Sequence, residues 1–459
     1  MTANTSRFAT PSWASVLPKG WKIFPIKKLV SIPITDGPHE TPEFLDDGVV
    51  FISAEAIQEG RIDFDRCRGF ISEANNRQYS RKYTPKTGDI YVVKSGATTG
   101  KSAIVGDRTD FNIWSPLAVV RGGASVDKNF LLYAIRSQIV QDAIAINWSW
   151  GTQQNIGMGA LGRIQIPVPD LPIQKIIADF LDRETGRIDQ LIEKKQRLME
   201  LLGEKLEDDT LRAVTLGIDP KVELVPEDEL EWTTHRPKHW KLFRLKSFFR
   251  ENTQYSKDGE GVLFSLRMKE GLVPHNDVSD KEILPGDLTN YKKVFAGQIV
   301  MNRMRAAIGL FGLADGTGIV SPDYSVFDVS RKAHAAYFLR LFRSVPLMAA
   351  FRLLSKGLGT GHSGFMRLNA DNFGRIGVAV PELGEQQLIS KYVEDRIAQI
   401  TKLQNTNVQS IERLKEYRAA LITAAVTGQI DVATWGKKGQ TAPRSERIKV
   451  ETAGKHGAI

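Results

Sequence analysis

The sequence predicts an α+β protein: two β-rich α/β globular lobes joined by two long helices that pair as an antiparallel coiled coil, with an internal pseudo-twofold repeat. Three observations predict it. Ala213-Val214-Thr215-Leu216-Gly217-Ile218-Asp219 recurs as Ala425-Val426-Thr427-Gly428-Gln429-Ile430-Asp431, 212 positions later. The same offset carries Gly162-Arg163-Ile164 onto Gly374-Arg375-Ile376, Pro169 onto Pro381 and Gln174 onto Gln386. Each copy runs from short apolar segments into a long stretch of heptad-like spacing.

The chain divides in order into a leader at 1–17, a lobe at 18–170, a helical region at 171–219, a second lobe at 220–381, a second helical region at 382–431 and a basic tail at 432–459. Pro18-Lys19-Gly20-Trp21-Lys22 opens the first lobe and Pro237-Lys238-His239-Trp240-Lys241 the second; each Trp reads as a packing anchor. Val49-Val50-Phe51-Ile52, Ile90-Tyr91-Val92-Val93, Ala103-Ile104-Val105 and Leu117-Ala118-Val119-Val120, broken by Gly, Pro, Asp and Asn, read as strands. Phe130 to Ile146 has helical spacing. Gly88-Asp89-Ile90-Tyr91-Val92 answers to Gly297-Gln298-Ile299-Val300-Met301. The offset drifts within the lobes and holds in the helices, because loops accept insertions that a packed helix register does not.

The first helix runs from about Ile173 to Leu216, with Ile177, Leu181, Glu184, Ile188, Leu191, Lys195, Leu198 and Leu202 on its seam. The second runs from about Glu385 to Thr427, with Ile389, Val393, Arg396, Ile400, Leu403, Asn407, Ser410, Leu414, Tyr417 and Leu421. At 1.5 Å per residue each is roughly 65 Å long, more than a small lobe's face can cover. Polar seam residues at matching places, Glu184 with Arg396 and Lys195 with Asn407, are a register device. If the second helix returns along the first, with Ile177 opposite Ala425, Lys195 meets Asn407 and Glu184 approaches Arg418.

Composition narrows the function. A net charge of +9 and a pI near 9.3 favour a polyanionic partner. Cys67 is the only cysteine, which removes an intrachain disulfide and a thiolate zinc cluster. No signal peptide or apolar run of membrane-spanning length is visible, so the expected compartment is a reducing cytoplasm. The tail, with Lys437, Lys438, Arg444, Arg447, Lys449 and Lys455, suits either a solvated end or non-specific contact with nucleic acid.

Catalytic signatures are weak. Gly96-Ala97-Thr98-Thr99-Gly100-Lys101-Ser102 is one residue short of a phosphate-binding loop, and a strand-like stretch follows it where a helix is needed. No cofactor turn with an Asn/Asp-Pro-Pro-aromatic box occurs, Asp170 and Glu193 lie some 35 Å apart along a helix, and the histidines show no metal-ligand spacing. The alternatives to a binding protein are a stand-alone methyltransferase or nuclease and a coiled-coil scaffold without DNA.

Two stretches in each copy suit DNA. The first offers Lys94, Ser95, Thr98, Thr99 and Lys101 in copy one and Asn302, Arg303 and Arg305 in copy two. Cations and hydroxyls of this kind meet phosphates and base edges. The second, after Trp148-Ser149-Trp150-Gly151, offers Thr152, Gln153, Gln154 and Asn155; its counterpart carries Lys356, His362 and Ser363. A Gly-rich connector with buried tryptophans is the competing reading there.

Asp36-Gly37-Pro38-His39-Glu40-Thr41-Pro42, Val49 to Ser53, Gly88-Asp89-Ile90 through Gly100-Lys101, Ile166-Pro167-Val168-Pro169 with Gln174, and Ala425-Val426-Thr427-Gly428 occur in that order. In this the chain resembles the DNA-specificity subunit of type I restriction-modification systems over about residues 18–432. Copy two lacks the Asp-Gly-Pro-His stretch, and Pro172-Ile173-Gln174 lacks the acidic residue that often precedes the glutamine. The resemblance implies two target-recognition domains, each reading one part of a two-part sequence, with the helix pair fixing the gap. It implies a non-catalytic chain that binds double-stranded DNA, two methyltransferase subunits and, through them, motor-nuclease subunits. S-adenosylmethionine, ATP and magnesium would then belong to the partners, and the complex would methylate adenine and cleave DNA.

Overall fold

The computed structural model describes residues 12–148, 154–279, 288–357, 366–432 and 435. Two compact units result, one of residues 1–195 with 409–459, the other of residues 196–408.

Unit one contains β1 (Lys22–Pro25), β2 (Thr35–Asp36), β3 (Val49–Ile52), β4 (Gly69–Ile71), α1 (Glu73–Ser80), β5 (Asp89–Val93), β6 (Ser102–Ile104), β7 (Phe111–Ile113) and β8 (Leu117–Arg121). Then come α2 (Lys128–Arg136), α3 (Gln138–Ile146), α4 (Met158–Arg163), β9 (Gln165–Val168) and the start of α5 (Leu171–Leu216). The central sheet has order β2-β8-β5-β6, antiparallel throughout. Its apolar runs are continuous because both faces are covered. Ile90, Val92, Ala118 and Val120 face one core, and Tyr91, Val93, Leu117 and Val119 the other. The expected helix over Phe130–Ile146 is two helices. Ser137 sits extended between them (φ −66°, ψ 147°), and its carbonyl accepts from Val140 and Gln141 N–H to start α3.

Unit two begins within α5 and adds β10 (Leu224–Pro226), β11 (His235–Pro237), β12 (Lys241–Arg244), β13 (Phe249–Asn252), β14 (Phe264–Arg267), β15 (Gly271–Pro274), β16 (Lys292–Val294), β17 (Ile299–Asn302), β18 (Phe311–Leu313), β19 (Gly318–Val320) and β20 (Tyr324–Val329). It continues through α6 (Ala335–Phe342), α7 (Val345–Leu354), α8 (Ala370–Arg375), β21 (Gly377–Val380) and the start of α9 (Leu383–Val426). Its sheet, β13-β20-β17-β18, repeats the order and antiparallel sense of unit one, and β12–β21 repeats β1–β9. Ile299 and Met301 face one core and Val300 the other, as the period of two requires.

The repeated residues are structural fittings. Gln174 is buried; its Oε1 accepts from Asp127 N–H and its Nε2 donates to Pro169 O and Ser125 O. Gln386 does the same in unit two with His334 N–H, Pro381 O and Lys332 O. Each amide thereby ties the root of a long helix to the start of a lobe helix. The long helices end at Gly217 (φ +83°) and Gly428 (φ +66°), left-handed positions that favour glycine. Ala213 and Val214 lie in the core of unit two, whereas Ala425 and Val426 lie in the core of unit one.

Within unit two the helix segments run antiparallel: Gln404 Nε2 donates to Met199 O, and Arg396 Nη2 lies 2.6 Å from Asp209 Oδ2. Within unit one Arg418 pairs with Asp189. The expected partner was Glu184, but Arg183 and Arg187 hold that carboxylate on its own helix. The Arg418 guanidinium thus reaches a carboxylate five residues further along α5 than Glu184, which lies near Tyr417. Lys195 belongs to unit one and Asn407 to unit two, where Asn407 Nδ2 donates to Leu403 O. The seam is also less continuous than expected. Ile177, Leu181, Ile389 and Val393 are buried because lobe cores close over them, but Leu191, Leu198 and Leu403 are 44–46% exposed.

Candidate nucleic-acid interface

In unit one the Gly96–Lys101 stretch is the turn of the β5–β6 hairpin, not the mouth of a helix. Gly96 (φ +103°) and Gly100 (φ +94°) take conformations that a side chain resists, and a Cβ on Gly100 would strike the Gln141 carboxamide. Thr99 Oγ1 donates to Gly96 O at 2.7 Å, so this hydroxyl stiffens the turn. The second predicted stretch lies against the first. Gly96 N–H donates to Gln154 O, Ser95 and Asn155 form a β-bridge, and Ile156 N–H donates to Lys94 O at 2.8 Å. Thr152 and Gln153 lie outside the described residues. Beside the turn, Thr98, Thr99, Lys101, Glu59, Arg136 and Gln141 line an open polar groove. Lys101 is exposed there.

Lys94 requires a correction. The sequence offers it as a cation for DNA, but its side chain is 12% exposed and its Nζ lies 3.0 Å from Oδ2 of Asp36, a fully buried carboxylate. Burial pushes the Asp36 carboxyl up, and the hydrogen bonds and charges of Lys82 and Lys94 more than reverse this, holding it below the usual carboxylate range. Lys94 therefore supports the loop from behind.

Unit two builds the same junction from different residues. Asn302 Oδ1 accepts from Met304 and Arg305 N–H, closing a turn after β17. Leu368 N–H donates to Arg303 O at 2.9 Å, the counterpart of the Ile156–Lys94 bond, and Lys356 bridges Arg367 in both directions. Arg303 is also corrected: its guanidinium donates to Asp323 O and Pro322 O, bracing the 321–323 turn. Arg305 and Lys356 remain exposed. Arg367, missed in the sequence, joins them; its Nη2 lies 3.4 Å from Asp323 Oδ1. Only the pairing with Lys356 could have revealed it. His362 and Ser363 lie outside the described residues. Among the described residues no group of His, Cys, Asp and Glu is arranged to hold a metal ion.

Residues 18–201 match the family described as the type I restriction modification DNA specificity domain. The chain is 22% identical to the type I restriction enzyme EcoKI specificity subunit of Escherichia coli K12, over 97% of this chain and 98% of that one. The first lobe and the start of the first long helix thus match that domain, and the chain is similar along its length to a type I specificity subunit. Another similar protein, the EcoBI specificity subunit of Escherichia coli, is 22% identical over 72% of this chain and 73% of its own. The fold agrees with that of the specificity-subunit family. The crystal structure of the HsdS subunit from Thermoanaerobacter tengcongensis superposes with TM-score 0.52 at 16% identity, covering 90% of this chain and 98% of that one. A chain from a structural study of complex assembly in a type I system superposes with TM-score 0.61 at 13% identity, covering 90% and 99%.

Proposed function

We propose that this chain is the DNA-reading, non-catalytic subunit of a type I restriction-modification complex. Residues 18–170 and 220–381 each read one part of a two-part duplex target, and the helical regions 171–219 and 382–431 fix the gap. The chain binds two methyltransferase subunits and, through them, motor-nuclease subunits, which carry S-adenosylmethionine, ATP and magnesium. It works on cytoplasmic DNA; no described helix is long and apolar enough to cross a membrane.

One observation carries this reading. In both units the two stretches picked out for DNA meet at the same place, the end of the strand Asp89–Val93 or Ile299–Asn302, and leave a cation exposed there. Such convergence, on repeated sheets with different residues, suits two readers of different sequences. Lys101→Ala and Arg305→Ala, which remove exposed cations, are each expected to weaken duplex binding about fivefold, on the order of 1 kcal/mol. Gel shifts at two salt concentrations measure this, and unchanged affinity in both variants removes these loops from the interface. Methylome sequencing of the host with and without the gene tests the whole reading: a methylated two-part motif disappears on deletion. Methylation or cleavage by the purified chain alone overturns it.

A further inference from the structure

The Asp36–Pro42 stretch has no counterpart in unit two. Asp36 closes β2 opposite Ala118 and is fully buried. A carboxylate placed there needs a partner. It has three: Lys82 Nζ 2.5 Å from Oδ1, Lys94 Nζ 3.0 Å from Oδ2 and His39 Nε2 3.1 Å from Oδ2. One negative charge is met by two fixed positive charges, and by a third when the imidazole is protonated. Compensation of Asp36 alone does not need that surplus.

The surplus faces outward. Lys94 is the enclosed partner, while the Lys82 side chain is 50% exposed and that of His39 is 70% exposed. Lys82 has three N–H donors; Asp36 Oδ1 takes one and Gly37 O, at 3.4 Å, another. The mount is rigid. A Cβ on Gly37 would collide with Ile113 O, Ser115 N–H donates to Pro38 O, and Trp114 Nε1 donates to Glu40 O. Glu40 is the acid of the same turn, and its carboxylate faces Gln78 Nε2 at 3.5 Å and the Tyr79 hydroxyl. Arg77 and Arg81, both exposed, extend the positive surface beside Lys82.

We propose that His39 and Lys82, mounted on buried Asp36, form an anion site that grips a backbone phosphate of duplex DNA beside unit one. This rests on the DNA-reading function proposed above. Lys94 joins the two sites: its ammonium holds Asp36 and its carbonyl holds Ile156 at the loop junction. A phosphate held by His39 and Lys82 would set the register in which the 94–101 turn meets base edges. Unit two lacks this stretch, so the grip belongs to one half of the target.

The test is a titration of the full chain against a random 30-base-pair duplex by fluorescence anisotropy at several salt concentrations. His39→Gln with Lys82→Gln should make the slope of log affinity against log salt shallower by about 1, since one fewer phosphate is neutralised. Lys82→Arg in the His39→Gln background should recover most of that slope, and Lys221→Gln, an exposed charge change elsewhere, should leave it unaltered. His39→Gln alone removes an exposed side chain, which keeps the test independent of folding; it should weaken binding by about two- to threefold. An unchanged slope in the double variant, or an equal change from Lys221→Gln, overturns the site while wild-type binding stands. Absence of wild-type binding at low salt instead removes the DNA-reading function, and this site with it.

Discussion

Buried polar side chains do the fixing at the scale of single residues. Gln174 and Gln386 each satisfy one backbone N–H and two carbonyls, and the bond to the Pro169 or Pro381 carbonyl is buried. Removing such an amide strands the buried carbonyl at about 1–3 kcal/mol and weakens the two part-buried bonds by less. Gln174→Ala and Gln386→Ala are each expected to cost roughly 2–4 kcal/mol by denaturant unfolding, against a near-neutral result if the clamps were incidental. Lys94→Ala belongs in the same class, because it weakens the compensation of Asp36. Asp36 also gives a sign for acid. Its folded carboxyl is held below the usual range, so its pairing stabilises the fold above about pH 4 and is lost as pH falls through the depressed value. The sequence displayed Gln174 and Gln386 because identical backbone geometry demands the same residue twice. It could not display what Lys94 and Arg303 face. Lys94 meets a carboxylate 58 positions away, and Arg303 meets carbonyls 19 and 20 positions away. A charge is legible in a sequence; its partner is not.

Among elements, the long helices were legible from spacing and the lobe strands from apolar runs, since both periods report burial directly. The break at Ser137 was not, because both flanking helices present apolar residues in nearly continuous register. Nor was the partial opening of the seam at Leu191, Leu198 and Leu403, which depends on where lobe cores close over the helices. The charged cross-links are therefore expected to matter. Arg396 reaches Asp209 through both Nε and Nη2 at a partly exposed site. A double-mutant cycle with Arg396→Ala and Asp209→Ala should give a coupling of about 1 kcal/mol, lower in high salt. A coupling near zero would leave register to the apolar contacts alone.

For the molecule as a whole, duplication has made each unit depend on residues distant in sequence. Leu421, Ile422, Ala425 and Val426 complete the core of unit one, more than 200 residues after the segments they pack with. Burial of a large aliphatic side chain is worth about 1.5–3 kcal/mol, and a domain's whole stability is only about 5–15 kcal/mol. A chain truncated after Val408 is thus expected to lose hydrogen-exchange protection across 18–170 while keeping it across 220–380. Equal protection in both would show that unit one does not need the end of α9.

One consequence lies in the glycine that ends α9. Gly428 rests on Pro18 and Trp21, as Gly217 rests on Trp240 at the end of α5. Each joint is made once by covalent succession and once by touch. A permuted gene, spliced from Asp431 to Pro18 and opened in the turn around Pro220, would encode the same joints with their roles exchanged. Reading order along the messenger would change, and the ring of fittings would not.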